Sequence, residues 1–252
     1  MTISKEKILD YRINDCHIHL GASGPWVPGF NPTVMLTKLI QQMDKYNIEK
    51  AVVFPNPLPG SKYPRANDYI ISCVDKYPKR LIGFGRIDPR YGSEIIPEIE
   101  RLRSNGIIGI KLHPVVESFY PDHPFFLPIY KALLNCGIRL ILTHSSNGGF
   151  AEATRWANVA DAFPQLTIIL AHVNEKCLRL LRQFKNVYVD TSASSSLLIE
   201  KACKIDSSKV LFGSDYPYTG WEKEFGNVIQ TNCPLEVKKK ILFKNFLEVF
   251  HG

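Results

Sequence analysis

The sequence predicts an α/β protein, a (β/α)8 TIM barrel folded as a single domain over residues 1–252, and three observations carry that reading. Short aliphatic runs alternate with longer amphipathic stretches, the pattern of parallel strands covered by helices. Eight such units fill 252 residues with little to spare, close to the roughly 250 that such a barrel needs. Polar residues also gather at one place in the pattern. Five of the seven histidines stand at the C-terminal ends of the runs, where barrels of this kind build their sites.

The first run, "RIN" before Asp15, leads to the helical stretch "PTVMLTKLIQQMDKY". "KAVVF" before Pro55 leads to "ANDYIISCVDKY", "LIGFGRI" before Asp88 to "GSEIIPEIERLRS", and "IIGIKL" before His113 to "PFFLPIYKALLN". In the second half, "IRLILT" before His144 leads to "FAEATRWANVADAF", and "LTIILA" before His172 to "EKCLRLLRQF". "NVYV" before Asp190 leads to "SLLIEKAC", and "KVLFG" before Ser214 to "PLEVKKKILFKNFLEVF". The runs are near-continuous in aliphatic residues, as expected of strands buried on both faces. A doubly wound open sheet is the alternative, but it usually carries a glycine-rich phosphate turn after its first strand, and "DCHIHLGASG" is not that turn. No internal repeat, low-complexity segment or linker interrupts the pattern.

Composition sets further bounds. With 45% hydrophobic and 22% charged residues the chain reads as an ordinary globular protein. No apolar run approaches the roughly 18–20 residues of a membrane span. "MTISKEKILD" lacks the apolar core of a signal peptide, so a cytoplasmic location is expected. The six cysteines, Cys16, Cys73, Cys136, Cys177, Cys203 and Cys233, contain no Cys-x-x-Cys pair and read as free thiols in a reducing compartment. A net charge of +7 would suit an anionic partner, yet the basic residues are dispersed, and Lys238 to Lys240 read as a solvated helix face. Neither nucleic acid nor membrane is therefore an expected partner.

The chemistry begins in "DCHIHL". In an extended chain residues i and i+2 share a face, so Asp15, His17 and His19 are expected on one side and Cys16, Ile18 and Leu20 on the other. Two imidazoles aimed at one point can hold a metal ion; they can also be polar residues where a strand meets solvent. The rest of the pattern favours the first. A barrel would bring His17, His19, His113, His144, His172 and Asp215 to one mouth from distant points in the chain.

With these residues in view, the sequence resembles the amidohydrolase superfamily, and within it the amidohydrolase-related branch of metal-dependent hydrolases and decarboxylases. "DCHIH", "GIKLHP", "THSS", "LAHVN" and "FGSDYP" occur in that family's order across essentially the whole chain. The resemblance implies that His17, His19, His144 and Asp215 bind a divalent metal, most often zinc with manganese as the alternative, one ion per chain. It implies that His172 is a further ligand or polarises the substrate. A fourth-strand lysine is carboxylated in some members and bridges two metals, which makes a binuclear centre with carboxylated Lys111 the alternative. The chemistry is coherent on its own terms. Histidine and carboxylate ligands with an open position suit Zn²⁺ or Mn²⁺ and lower the pKa of bound water to about 7. Asp215 would take the water's proton as general base, and His172 would steady charge developing on a substrate oxygen.

Other residues carry two readings each. Lys111 would bind a substrate carboxylate as an ammonium, or be a packed, hydrogen-bonded barrel lysine. His113 is a substrate or supporting contact, or marks a strand end before Pro114. Asn147, with Gly148 and Gly149, precedes a helix whose start would bind an anion or simply be capped. Arg86 would meet a substrate acid or form a buried ion pair. Asp15 would orient a ligand histidine or play a structural part. Trp26, Phe30 and Tyr63, in loops rich in proline and glycine, are candidate pocket walls or loop packing. His123 and His251 are expected at the surface.

The function expected is hydrolysis of a small molecule, one bearing a carboxylate among the candidates, at an amide, ester or lactone bond. The alternative is a non-oxidative decarboxylase on the same metal site. A metal-binding protein without catalysis and a barrel nuclease are the remaining classes; the latter lacks the acidic fourth-strand ligand such enzymes carry. A homodimer is compatible with so compact a barrel.

Overall fold

The computed structural model describes residues 11–22 and 33–250, so Trp26, Phe30 and His251 lie outside the described residues. Its eight strands are β1 (Ile13–Leu20), β2 (Ile48–Pro55), β3 (Leu81–Arg86), β4 (Gly109–Leu112), β5 (Leu140–His144), β6 (Thr167–Ala171), β7 (Val187–Asp190) and β8 (Val210–Leu211). Each pairs in parallel with the next in chain order. The sheet curls until β1 meets the chain leaving β8. There Cys16 N–H donates to the Phe212 carbonyl at 2.9 Å and His19 N–H to the Tyr216 carbonyl at 2.8 Å.

Helices occupy the crossovers: α1 (Leu36–Lys45), α2 (Tyr63–Lys76), α3 (Ile96–Ser104), α4 (Leu127–Asn135), α5 (Trp156–Ala162), α6 (Glu175–Gln183) and α7 (Ser196–Asp206). After β8 come α8 (Trp221–Ile229), α9 (Leu235–Lys239) and α10 (Asn245–Phe250), the last two joined by a π-helical turn at Lys240–Lys244. Helix α6 shows why these stretches are helical. The Asn174 side chain caps it by accepting from Lys176 N at 3.0 Å and Cys177 N at 3.2 Å, and Cys177, Leu178, Leu180 and Leu181 bury one face. The fold is thus the single-domain (β/α)8 barrel that the sequence predicts. Among the described residues, no helix is long and apolar enough to cross a membrane.

Three local differences matter. First, β1 runs on through Leu20, so both histidines sit inside a strand rather than beyond one. Second, β1 carries a bulge: Asp15 is level with Ala51 and Ile18 with Val53, so Cys16 and His17 together oppose one residue of β2. The expected alternation breaks there. Asp15 turns to the helix layer, where Trp221 Nε1 of α8 donates to it at 2.6 Å, while Cys16 joins the apolar barrel interior. Third, α8 was not among the expected helices; Gly226 in its middle weakens the helical signal, and burial of Trp221, Phe225 and Val228 supplies what propensity lacks.

The core has two layers. One lies between strands and helices. The other fills the barrel with Val52, Phe54, Phe84, Leu142, Ile169, Ala171 and Leu211, and is plugged at the strands' N-terminal end by Phe246 and Phe250 of α10. Gly109 belongs to this second layer by necessity: a Cβ there would stand 2.3 Å from the Phe84 ring.

Candidate metal centre at the barrel mouth

The C-terminal ends of the strands enclose a cavity of about 390 Å³. His17, His19, Lys111, His113, His144, His172 and Asp215 all line it, joined by Tyr218, Pro57, Val115 and Val116. Of the described residues that the sequence draws into the site, Arg86, Asn147 and Tyr63 stand apart from this lining, and Asp15 holds the wall from outside.

The tightest cluster is His17, His19 and Asp215, whose ligand atoms all lie within 4.8 Å of one another. His17 Nε2 and His19 Nε2 each approach Asp215 Oδ1 at 3.1 Å. His17 and His19 share the mouth side by ordinary strand alternation, the bulge separating only Asp15 from them, and both rings pack against Phe54, with centroids 5.3 and 4.8 Å away. Asp215 reaches inward from a left-handed backbone at φ 54°, and His172 does the same at φ 63°. Such conformations cost about 1–3 kcal/mol each outside glycine and persist where surrounding contacts impose them. Tyr218 N–H and Thr219 N–H donate to the Asp215 carbonyl at 2.8 and 3.2 Å, and His172 N–H donates to Asp190 Oδ1 at 3.2 Å. Gly213 makes the room: a Cβ there would meet His17 Cβ at 3.0 Å and Asp190 Cγ at 3.1 Å.

His144 lines the cavity beside this cluster rather than within it. Its ring stacks on His113 at 4.1 Å, with 6° between the planes, and lies 4.8 Å from His172. Lys111 is buried over the face of Phe54, its Nζ 3.1 Å from His17 Nε2. His113 accepts Val116 N–H at Nδ1, 3.4 Å away.

Burial sets the charge states. It pushes His19 down to about 3 and His144 to about 2, and lowers His172 and His113 as well. These four are therefore neutral imidazoles near pH 7, the form that ligates metal. Burial and Lys111 also work to lower His17, but Asp190 and Asp215 outweigh them and raise it. Burial works upward on Asp215, yet His17 and His19 hold its carboxyl well below the ordinary range. Burial brings Lys111 down to about 8. An ionised carboxylate facing two imidazole nitrogens, with further neutral imidazoles alongside, is a donor set that suits a divalent Zn²⁺ or Mn²⁺ ion.

Three polar residues belong to the site that the sequence did not single out as functional. Asp190, at the end of β7, lies 2.7 Å from His17 Nδ1 through Oδ2, and Ser192 bonds both Asp190 and His172. The aspartate ending "NVYVD" was the available signal. Tyr218 is the third, and it lines the cavity; its hydroxyl donates to Asn56 Oδ1 at 3.2 Å.

Arg86 takes the buried ion-pair alternative. It is fully buried, donates to Glu117 Oε1 from Nε and Nη2 at 3.0 Å each, and to the Pro55 carbonyl at 3.2 Å. Tyr63 joins that network through its hydroxyl, 2.8 Å from Glu117 Oε1. Asn147 is exposed, and short 3-10 turns at Gly149–Ala151 and Ala153–Arg155 follow it where a helix start was expected; α5 begins only at Trp156. Asp15 accepts His17 N–H at 2.9 Å and Ser214 N–H at 3.0 Å, so it braces the backbone of the site and not a histidine ring.

A barrel whose first strand and the chain just beyond its last strand bring two histidines and an aspartate to one point has the donor set of a metal centre. A family model described as amidohydrolase matches residues 15–251, and the chain belongs to that family of metal-dependent enzymes. No curated protein matches the sequence. Among solved structures, the chain is similar to 2,6-dihydroxybenzoate decarboxylase from Rhizobium, at 16% identity and a TM-score of 0.79, over 96% of this chain and 99% of that one. It is also similar to 5-carboxyvanillate decarboxylase from Novosphingobium aromaticivorans, complexed with manganese and a nitrobenzoic acid, at 19% identity and a TM-score of 0.75, over 96% of each chain. A third is a probable 2-pyrone-4,6-dicarboxylic acid hydrolase from Acinetobacter baumannii with citric acid bound, at 17% identity and a TM-score of 0.69, over 96% of this chain and 100% of that one. At these identities the likeness is one of fold.

Proposed function

We propose that this protein is a metal-dependent hydrolase of a small, carboxylate-bearing molecule, acting on an amide, ester or lactone bond. The observation that carries the reading is the convergence of His17 Nε2 and His19 Nε2 on one oxygen of Asp215, 3.1 Å each, at the floor of an otherwise closed barrel. His17, His19 and Asp215 would hold the ion, Zn²⁺ or Mn²⁺, with His144 and His172 as the neighbouring donors. When bound, the ion supplies Lewis acidity and lowers the pKa of water to about 7. Asp215 accepts the proton of the attacking water and returns it to the leaving group. Lys111 and His113 face the substrate; Lys111 as an ammonium pairs with its carboxylate. The 390 Å³ cavity falls within the range of small-molecule sites, about 300–1,000 Å³.

A second reading, non-oxidative decarboxylation at the same site, is favoured by the buried cation of Lys111 beside the cluster and by the decarboxylases among proteins of similar fold. Turnover of a panel of small acids, esters and lactones in ¹⁸O-water by the metal-loaded protein separates the two. One ¹⁸O in the product without CO2 supports hydrolysis; CO2 without ¹⁸O moves the assignment to the lyase. Full activity in His17→Ala and Asp215→Asn would overturn both.

A further inference from the structure

We propose that Asp190 and Ser192, at the end of β7, act as one positioning unit that fixes the Nδ1 protons of both His17 and His172, so that Nε2 is the nitrogen each ring offers to an ion at the centre. The inference rests on the metal-site reading above. It follows from counting donors and acceptors around the two rings. Asp190 Oδ2 lies 2.7 Å from His17 Nδ1, and an ionised carboxylate can only accept, so the proton of that contact sits on Nδ1. Asp190 is fully buried. Its other oxygen accepts three donors: Ser192 N–H at 3.0 Å, His172 N–H at 3.2 Å and the Ser192 hydroxyl at 2.5 Å.

That last bond decides the second ring. The Ser192 hydroxyl has a single proton, and Asp190 takes it, so toward His172 the oxygen can only accept. His172 Nδ1 therefore faces two acceptors, this oxygen at 3.0 Å and the Ser192 carbonyl at 3.2 Å. The proton must lie on Nδ1 and the lone pair on Nε2. As a neutral ring His172 then cannot donate a hydrogen bond to a substrate oxygen through Nε2. It acts as a ligand or proton acceptor, and the donor role passes to His113, whose Nδ1 accepts Val116 N–H and whose proton is thereby placed on Nε2. One short strand end sets the tautomers on two sides of the centre.

The test uses the full chain stripped of metal by chelator, titrated with Mn²⁺ alone by calorimetry, and ¹⁵N long-range spectra of the histidine rings assigned through single His→Gln variants. The wild type is expected to show a protonated Nδ1 at both His17 and His172, with a bare Nε2 at His172; His17 Nε2, 3.1 Å from the Asp215 carboxylate, keeps its own proton until an ion displaces it. Asp190→Asn is expected to weaken Mn²⁺ binding about 10–100-fold, the usual effect of losing a carboxylate behind a ligating histidine. Ser192→Ala is expected to alter the His172 ring signals, and Ser192→Thr, which keeps the hydroxyl, to restore them. A protonated Nε2 on wild-type His172, or Mn²⁺ affinity in Asp190→Asn within about two-fold of wild type, would overturn the proposal. Wild-type protein that binds no Mn²⁺ sinks the metal reading instead, and the ring spectra still judge the tautomers. If Asp190→Asn does not fold, the wild-type spectra and the Ser192 pair decide between the two outcomes.

Discussion

Glu117→Gln is the substitution whose outcome the geometry constrains most tightly. Glu117 and Arg86 form an ion pair in which the side chains are 1% and 0% exposed. One carboxylate oxygen takes Arg86 Nε, Arg86 Nη2 and the Tyr63 hydroxyl; the other takes His113 N–H. A glutamine keeps the shape but removes the charge that compensates a fully buried guanidinium, and its NH2 group must face at least one of these donors. Breaking a buried pair from one side costs about 3–5 kcal/mol. For a domain of this size 1 kcal/mol moves Tm by about 2 °C, so the expected loss is about 6–10 °C in differential scanning calorimetry. A Tm within about 2 °C of wild type would refute the reasoning, since the buried charge would then have found another partner. The double variant Arg86→Met with Glu117→Met is expected to regain only part of the loss, because both charges leave together while Tyr63 O–H and His113 N–H stay unpaired. Arg86→Lys is expected to lower Tm without a selective rise in KM; the reverse would return Arg86 to the substrate.

Asp215→Asn is expected to lower kcat at least about 100-fold and to weaken metal binding, checked by turnover and by equilibrium dialysis. Elemental analysis of protein purified without added metal or chelator should give about one divalent ion per chain; about two would make carboxylated Lys111 the next test. Phe246→Ala opens the plug at the closed end of the barrel and should cost about 3–5 kcal/mol, read as a fall in Tm, with Mn²⁺ affinity unchanged. Burial raises Asp15 from 3.8 to about 6. Because the folded state binds that proton more tightly than the unfolded one, stability from this group is full below pH 3.8 and is lost as pH rises through about 6, some 3 kcal/mol in all. Denaturant titrations from pH 4 to 7 should show a downward component in wild type that Asp15→Asn lacks; equal slopes would contradict it.

What the sequence made legible was whatever repeats or alternates. Eight aliphatic runs each became a strand, because a strand buried on both faces needs an unbroken apolar stretch, and residues placed just past such runs meet at one mouth. The irregular parts were hidden. The bulge between Asp15 and Ile18 depends on the register with β2, which no local pattern in "INDCHIHL" encodes. Period-two counting therefore put Asp15 beside the histidines when it faces Trp221. Asp190 was visible as the last residue of a run, but its partner, His17, lies 173 positions away, and only the closed barrel joins them. Arg86 offered two readings that differ only in where a carboxylate stands, and Glu117 sits in a loop with no motif to mark it. Helix α8 was missed because its stability comes from packing and not from propensity.

The closure of the barrel has a consequence beyond catalysis. Strand β8 is two residues long, and the ring is completed only where β1 hydrogen-bonds to Phe212 and Tyr216 just beyond it. His17 and His19 stand on one bank of that seam and Asp215 on the other. An ion gripped by all three would act as a clasp across the one joint where the two ends of the chain meet, binding together segments that the polypeptide itself connects only by travelling once around the barrel. Stripping the ion should then loosen amide protection first along this joint, leaving the β4–β6 arc of the ring as the last part to exchange.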